Sequence, residues 1–234
     1  MNRFEIPAEL QKRLLSRRGR LHAYDAYDAA STALLAVDMQ NFFMKDGELM
    51  CAPASRDIVP NVNRLAGALR AAGGLVVWVV MEASEESRDA WENFHELFHP
   101  EARNRRFASL GPKGEGHKLW PALETAPVDA RVVKRRYSAF IEGSSDIEQV
   151  LRARGVRTVL VAGVATNVCC ESTARDCMMR GFRTLMVSDA NASFTQAEHD
   201  AALLNFITYF GDVQSTAEVI ERLGVRAPAE AAAG

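Results

Sequence analysis

The chain has no CxxC pair, no long apolar run and almost no net charge, and each absence excludes a class. Its four cysteines (Cys51, Cys169, Cys170 and Cys177) are too few among 234 residues for a disulfide framework. Adjacent Cys169 and Cys170 do not bridge readily, and without CxxC pairs a structural zinc site has no ligand set. A reduced, cytoplasmic setting is the expectation. No stretch approaches the ~18 consecutive apolar residues of a membrane-spanning helix, and the opening MNRFEIPAELQKRLLSRRGR has no apolar core of a secretory leader. No membrane partner is therefore expected. Lys and Arg number 28 against 30 Asp and Glu, a formal net charge of −2, so nucleic acid is not expected as a partner either.

The chain has an ordinary apolar share, 48%, and enough length to bury a sizeable core. No internal repeat or linker interrupts it. One domain is expected over residues 31–224, with an N-terminal helical extension at 1–30 and a flexible tail at 225–234.

Residues 157–190, RTVLVAGVATNVCCESTARDCMMRGFRTLMVSDA, organise that domain. The β-branched run 158–164 reads as a strand buried on both faces. Gly163 allows a close turn, 167–180 has helical spacing, and Gly181 stands where a left-handed residue ends a helix. A second apolar run, 184–187, completes a βαβ unit. This places Cys169 in the first turn of a helix, where free N–H groups and the helix dipole favour a thiolate.

The same rhythm fills the rest. An amphipathic helix is expected at 6–18, with Ile6, Leu10, Leu14 and Leu15 on one face, packed on the domain or on a partner subunit. TALLAVD, 32–38, is a strand ending in Asp38. The helix 58–72 leads to the strand 75–81. Residues 84–98 carry weak helical signals, and 102–118 read as a long exposed loop, with Asn93, Phe94, His95 and His99 as candidates to line a pocket. ARVVK, 130–134, is a short strand ending in Lys134. Capping boxes at Ser145/Glu148, Thr195/Glu198 and Ser215/Glu218 open three helices, and 211–214 is a last strand. Phe206, Tyr209 and Phe210 read as core or subunit interface.

Three strand ends thus carry an acid, a cation and a thiol: Asp38, Lys134 and Cys169. Sheets of this kind bind ligands at the carboxyl ends of their strands. A thiol of pKa ~8.5 needs help to attack at neutral pH. A carboxylate can take its proton, and a lysine beside that carboxylate keeps it ionised. The reading requires Asp38 and Lys134 to lie on neighbouring strands. The turn after Gly163 offers backbone N–H groups to a developing oxyanion.

VDMQNFF around Asp38, VVKRRYSAF around Lys134 and VAGVATNVCCESTARDCMMRGF around Cys169 resemble, in order, the three signatures of the isochorismatase-like cysteine hydrolases, over about 31–223. The resemblance implies a Rossmann-like three-layer α/β/α sandwich with a mostly parallel six-stranded sheet. It implies Cys169 as nucleophile, Asp38 as general base and Lys134 as charged partner. A cis Val164–Ala165 bond is implied too, with the N–H groups of Ala165 and Cys169 as oxyanion hole. The implied activity is C–N hydrolysis of a small amide, carbamoyl or ureido substrate through a thioester, most like the ureidoacrylate and N-carbamoylsarcosine amidohydrolase branch, in a homo-oligomer, dimer or tetramer. Cys170 is the rival nucleophile. The motif puts the nucleophile directly after Thr-x-x, and Cys170 and Cys177, seven apart, read as buried apolar residues.

Departures from the resemblance narrow the substrate. Phe42 stands where many nicotinamidases carry an acid, and Met81-Glu82-Ala83-Ser84 offers no Asp-x-His cluster. No metal and no cofactor are therefore expected, and nicotinamide is disfavoured. Phe42, Tyr137, Phe140 and Asn167 are positional candidates for substrate contacts. Two alternatives stand beside this reading. One is an idle isochorismatase-like domain used for assembly or binding, the other a nicotinamidase- or isochorismatase-type hydrolase. A phosphatase using Asp38 would want a second acid where Gln40 stands.

Overall fold

Six strands form one sheet. A computed structural model describes residues 3–84, 87, 88 and 91–223. The strands are β1 Thr32–Val37, β2 Leu75–Met81, β3 Ala130–Lys134, β4 Thr158–Val164, β5 Arg183–Ala192 and β6 Asp212–Gln214. Every pairing is parallel, in the order β3-β2-β1-β4-β5-β6, so the sheet is wholly rather than mostly parallel. Successive strand side chains point to opposite faces. Leu35, Val37, Val77, Val79, Val159 and Val161 serve one core, while Leu34, Ala36, Val76, Trp78, Leu160 and Ala162 serve the other. Burial on both faces explains why these strands read as unbroken apolar runs.

In chain order the helices are α1 Ala8–Arg18, α2 Asn41–Met44, α3 Val59–Ala71, α4 Glu92–His95, α5 Pro100–Leu110, α6 Ile147–Ala153, α7 Glu171–Met179, α8 Gln196–Tyr209 and α9 Thr216–Arg222. The first core takes Leu14 of α1, Leu110 of α5, Ile147 and Leu151 of α6, Cys177 of α7 and Phe206 of α8. The second takes Val62, Leu65 and Leu69 of α3 and Val219 of α9. That is the three-layer sandwich. No described helix is long and apolar enough to cross a membrane.

The structure bears out some expectations and changes others. α1 docks on its own chain. Leu14 is buried, Leu15 is half exposed, and Arg17 and Arg18 donate to the carbonyls of Thr208 and Ile207 at the end of α8. Cations there satisfy carbonyls that lack helical partners. The 102–118 stretch is not one loop, because α5 occupies Pro100–Leu110 and a short 3₁₀ turn covers Glu115–His117. Part of 84–98 and the tail at 225–234 lie outside the described residues. Capping boxes form at Thr195/Glu198 and Ser215/Glu218. At Ser145/Glu148 none forms: Ser145 Oγ donates to the Ala139 carbonyl, and Glu148 pairs with Arg152 and Arg180.

Candidate active site

The sheet order places the site. A doubly wound parallel sheet opens a crevice where its connections diverge, at the carboxyl ends of β1 and β4. Val37 and Gly163 are paired there. A Cβ on Gly163 would stand 2.0 Å from the Val37 carbonyl oxygen, and its φ is +122°. Only glycine lets the two strand ends close, and their closure brings the next residues together. β5 shifts register beside it, and the Asn191 amide fills the irregularity by donating to the carbonyls of Val161 and Val187.

Asp38 follows β1 with φ +54°, the one non-glycine residue of positive φ among the described residues. Such backbone costs on the order of 1 kcal/mol and persists where its surroundings hold it. Here the Asp38 N–H donates to Val79 O at 2.8 Å, and Gln40 N–H donates to Asp38 O at 2.7 Å. Gln40 is buried and clamps the end of β2. Its Oε1 accepts from Met81 N–H at 2.7 Å, and its Nε2 donates to the carbonyls of Met81 and His117, both at 3.0 Å.

Lys134 ends β3, and its Nζ lies 2.8 Å from Asp38 Oδ2 with neither side chain exposed. The two strands are not neighbours, as the sequence reading required. β2 lies between them, with Met81 opposite Lys134. Two strand spacings amount to about 9–10 Å, which the lysine and aspartate side chains span together through their contact. Nζ also donates to Arg136 O at 3.1 Å.

Cys169 completes the set. It sits in a wide π-type turn, Thr166–Cys170, ahead of α7, and is 4% exposed. Its thiol faces both the Asp38 carboxylate and the Lys134 ammonium. Burial pushes the thiol well above its ordinary value and Asp38 adds to that, with Lys134 opposing. The helix-start thiolate expected from sequence is thus reversed, because desolvation and a neighbouring anion outweigh the dipole. Burial likewise raises the Asp38 carboxyl against the pull of Lys134. Burial opposes the charge on Lys134, yet Asp38 and Cys169 hold its pKa above the ordinary value. Burial thus favours the protonated thiol beside the Lys134–Asp38 pair.

The Val164–Ala165 bond is cis. Val168 N–H and Cys170 N–H both donate to Ala165 O. From the far side, Thr166 Oγ1 lies 2.9 Å from His199 Nδ1, and Ser193 Oγ donates to Asn167 Oδ1. Cys170 and Cys177 are wholly buried in the core, and burial drives Cys177 up to about 12.

Of the positional candidates, Tyr137 lies near the thiol, where burial and then Cys169 raise its hydroxyl pKa. Asn167 is held by Ser193. Phe42 is buried edge-on to Phe43, and Phe140 is buried against Phe182. Phe94 and His95 are buried, while Asn93 and His99 are exposed. Three residues were missed. In sequence Gln40 stands out only as a non-acid, while in the structure it clamps β2. Trp91 stacks on Phe94 at 4.0 Å and meets Tyr137 edge-on at 5.0 Å. Arg106 of α5 is 4% exposed, lies over the Phe94 ring, and is within electrostatic reach of Tyr137, Cys169 and Asp38. Its signal was the spacing Ala102, Arg106, Leu110 on one helix face, hidden because the middle residue is charged. Glu82, in the place of the absent Asp-x-His, pairs with Arg135 at 3.2 Å, and His117 Nε2 lies 3.7 Å away with its charged form disfavoured by burial.

The fold and these strand ends define an α/β protein with a thiol at its ligand crevice. Residues 32–218 match the Isochorismatase domain family. A ureidoacrylate amidohydrolase of Methylorubrum extorquens is 35% identical over 206 residues, covering 82% of each chain. A protein of Arabidopsis thaliana named as a probable inactive nicotinamidase is 35% identical over 182 residues, 75% of this chain and 87% of that one. The crystal structure of a cysteine hydrolase from Pseudomonas syringae superposes with a TM-score of 0.73 at 30% identity, covering 87% of this chain and 96% of that one. The chain belongs to the isochorismatase family of hydrolases.

Proposed function

We propose that the protein is a cysteine hydrolase that cleaves a C–N bond of a small amide, carbamoyl or ureido compound through a thioester. The convergence of Asp38, Lys134 and Cys169 in one buried cluster carries this reading. The similarity to ureidoacrylate amidohydrolases supports it. As the Cys169 sulfur bonds to the substrate carbonyl carbon, its proton passes to Asp38. The carbonyl oxygen becomes an oxyanion facing the N–H groups of Ala165 and Cys169. Collapse of this intermediate breaks the C–N bond, and Asp38 returns the proton to the leaving nitrogen. Water then adds to the thioester, gives its proton to Asp38, and the acid product leaves as the thiol re-forms. Lys134 keeps Asp38 ionised between proton transfers. The steps need no metal or cofactor.

A screen for ammonia or amine release over amides, carbamoyl amines and ureido acids tests the reading. Release is expected with at least one class, Cys169→Ser is expected to abolish it, and iodoacetamide is expected to label Cys169 before Cys170 or Cys177. An active Cys169→Ser enzyme, or equal labelling of the three thiols, sinks the assignment. Release from no class favours the idle-domain alternative, which the name of the Arabidopsis relative keeps in view. A homo-oligomer belongs to the same reading, with the exposed apolar Met179 and Tyr209 as available surface, and light scattering on the purified protein checks it.

A further inference from the structure

Among the described residues, one cation at this site has no anion. Among Asp38, Lys134 and Arg106, Lys134 is matched by Asp38 at 2.8 Å. Arg106 of α5 is 4% exposed, lies within electrostatic reach of Asp38 and Cys169, and its Nη1 has no hydrogen-bond partner among the described residues. No described carboxylate lies within ion-pair distance of it. Its guanidinium stands 4.9 Å from the centre of the Phe94 ring, and the Trp91, Phe94 and Tyr137 rings pack against one another beside it. His95 adds no anion, and burial followed by Arg106 itself disfavours its charged form.

Among the described residues, Asp38, Lys134 and Arg106 together leave one net positive charge next to the thiol. A buried, unpaired cation is costly unless something supplies its counter-ion. A guanidinium is planar and offers paired N–H groups that match a carboxylate in two-point contact. The aromatic wall beside it suits a flat, conjugated substrate body. We infer that Arg106 is a specificity-determining residue that anchors a carboxylate on the substrate. The substrate would then be an amide or ureido acid rather than a neutral amide. The anchor would hold the far end of the molecule while its carbonyl lies against Cys169. This deepens the C–N hydrolase reading and rests on it only for the word substrate.

The test uses two alkylating probes of Cys169 in the full-length protein, anionic iodoacetate and neutral iodoacetamide. Each rate is normalised to that of a free thiol. Iodoacetate is expected to gain roughly 10-fold or more over iodoacetamide at Cys169 in the wild type, by two-point pairing with Arg106. Arg106→Met is expected to remove that gain and Arg106→Lys to keep part of it. Propionate, but not propionamide, is expected to protect wild-type Cys169, which tests the anchor even where a variant does not fold. An unchanged reagent ratio in Arg106→Met, an equal loss for both reagents, or equal protection by propionamide overturns the proposal. In the ammonia screen, the ratio of kcat/KM for a carboxylate substrate to that for its neutral amide is expected to fall roughly 100-fold in Arg106→Met. Iodoacetate preference without ammonia release from any substrate refutes the hydrolase reading and leaves the anchor standing. Release without any preference for acids refutes the anchor alone.

Discussion

Lys134 Nζ and Asp38 Oδ2 are 2.8 Å apart although a whole strand, β2, separates the strands that carry them. Both are fully buried, so neither is screened by water. Removing the lysine alone leaves a buried carboxylate with no countercharge, which costs about 3–5 kcal/mol unless it takes up a proton. Lys134→Met is therefore expected to abolish hydrolysis and to lower stability substantially. Asp38→Asn combined with Lys134→Met is expected to recover much of that stability with no activity. Urea unfolding of the two single variants and the double variant checks this, and additive losses would contradict a tight pair.

The proton inventory of the cluster sets a pH profile. The general base must be ionised, and burial raises the Asp38 carboxyl above its ordinary value. Activity should be lost as the pH falls through that raised pKa, so the acid limb of kcat/KM is expected above the ~3.9 of a free aspartate. Lys134 is held above its ordinary value by Asp38 and Cys169 against its burial, so no loss from its deprotonation is expected below about pH 10. A limb at or below pH 4 would show that Asp38 is not the base.

How much of this was legible follows from which forces are local. The strand end at Met81 is legible to the residue because β2, buried on both faces, writes itself as a continuous apolar run, whereas the end at Lys134 rests on the short Val132–Val133 pair of the edge strand β3. Asp38, Lys134 and Cys169 were named from their positions after such runs. The strand order is not legible from those runs, so the sequence alone suggests Asp38 and Lys134 on neighbouring strands, whereas β2 lies between them. The electrostatics of Cys169 were misjudged for a related reason. A helix dipole is visible in sequence, but desolvation depends on everything packed around the sulfur. α5 stayed hidden because its buried face includes Arg106, so the apolar stripe that identifies a helix is broken at the residue of most interest.

Gly163 closes the crevice by having no side chain. In Gly163→Ala the new Cβ meets Val37 backbone at 2.0 Å, and the φ of +122° is hostile to any L side chain. Backbone atoms cannot yield as a flexible side chain can, so β1 and β4 must part just where Asp38 and Cys169 converge. A loss of at least about 3 kcal/mol is expected, with activity falling further than stability explains. Thermal unfolding and kcat measured well below the variant's Tm check the two parts separately. Normal activity in a folded Gly163→Ala protein would mean that the close approach of the strand ends is not required.

His199 should make stability depend on acid. Its ring is 1% exposed, its Nδ1 lies 2.9 Å from Thr166 Oγ1, and burial pushes its pKa down to about 4. Unfolded histidine titrates near 6.5, so between pH 6.5 and 4 the unfolded chain binds the proton and the folded chain does not. Stability must then fall as pH drops through that window, by roughly 2–3 kcal/mol from this group, and level off once the folded ring is also protonated. His199→Gln keeps a polar side chain beside Thr166 but cannot titrate. Its unfolding free energy is expected to lie below the wild type at pH 7.5 and to close on it by pH 4.5. Parallel stability curves for the two proteins across that range would show that His199 is protonated equally in both states. The turn that holds Cys169 would then owe nothing to a neutral imidazole.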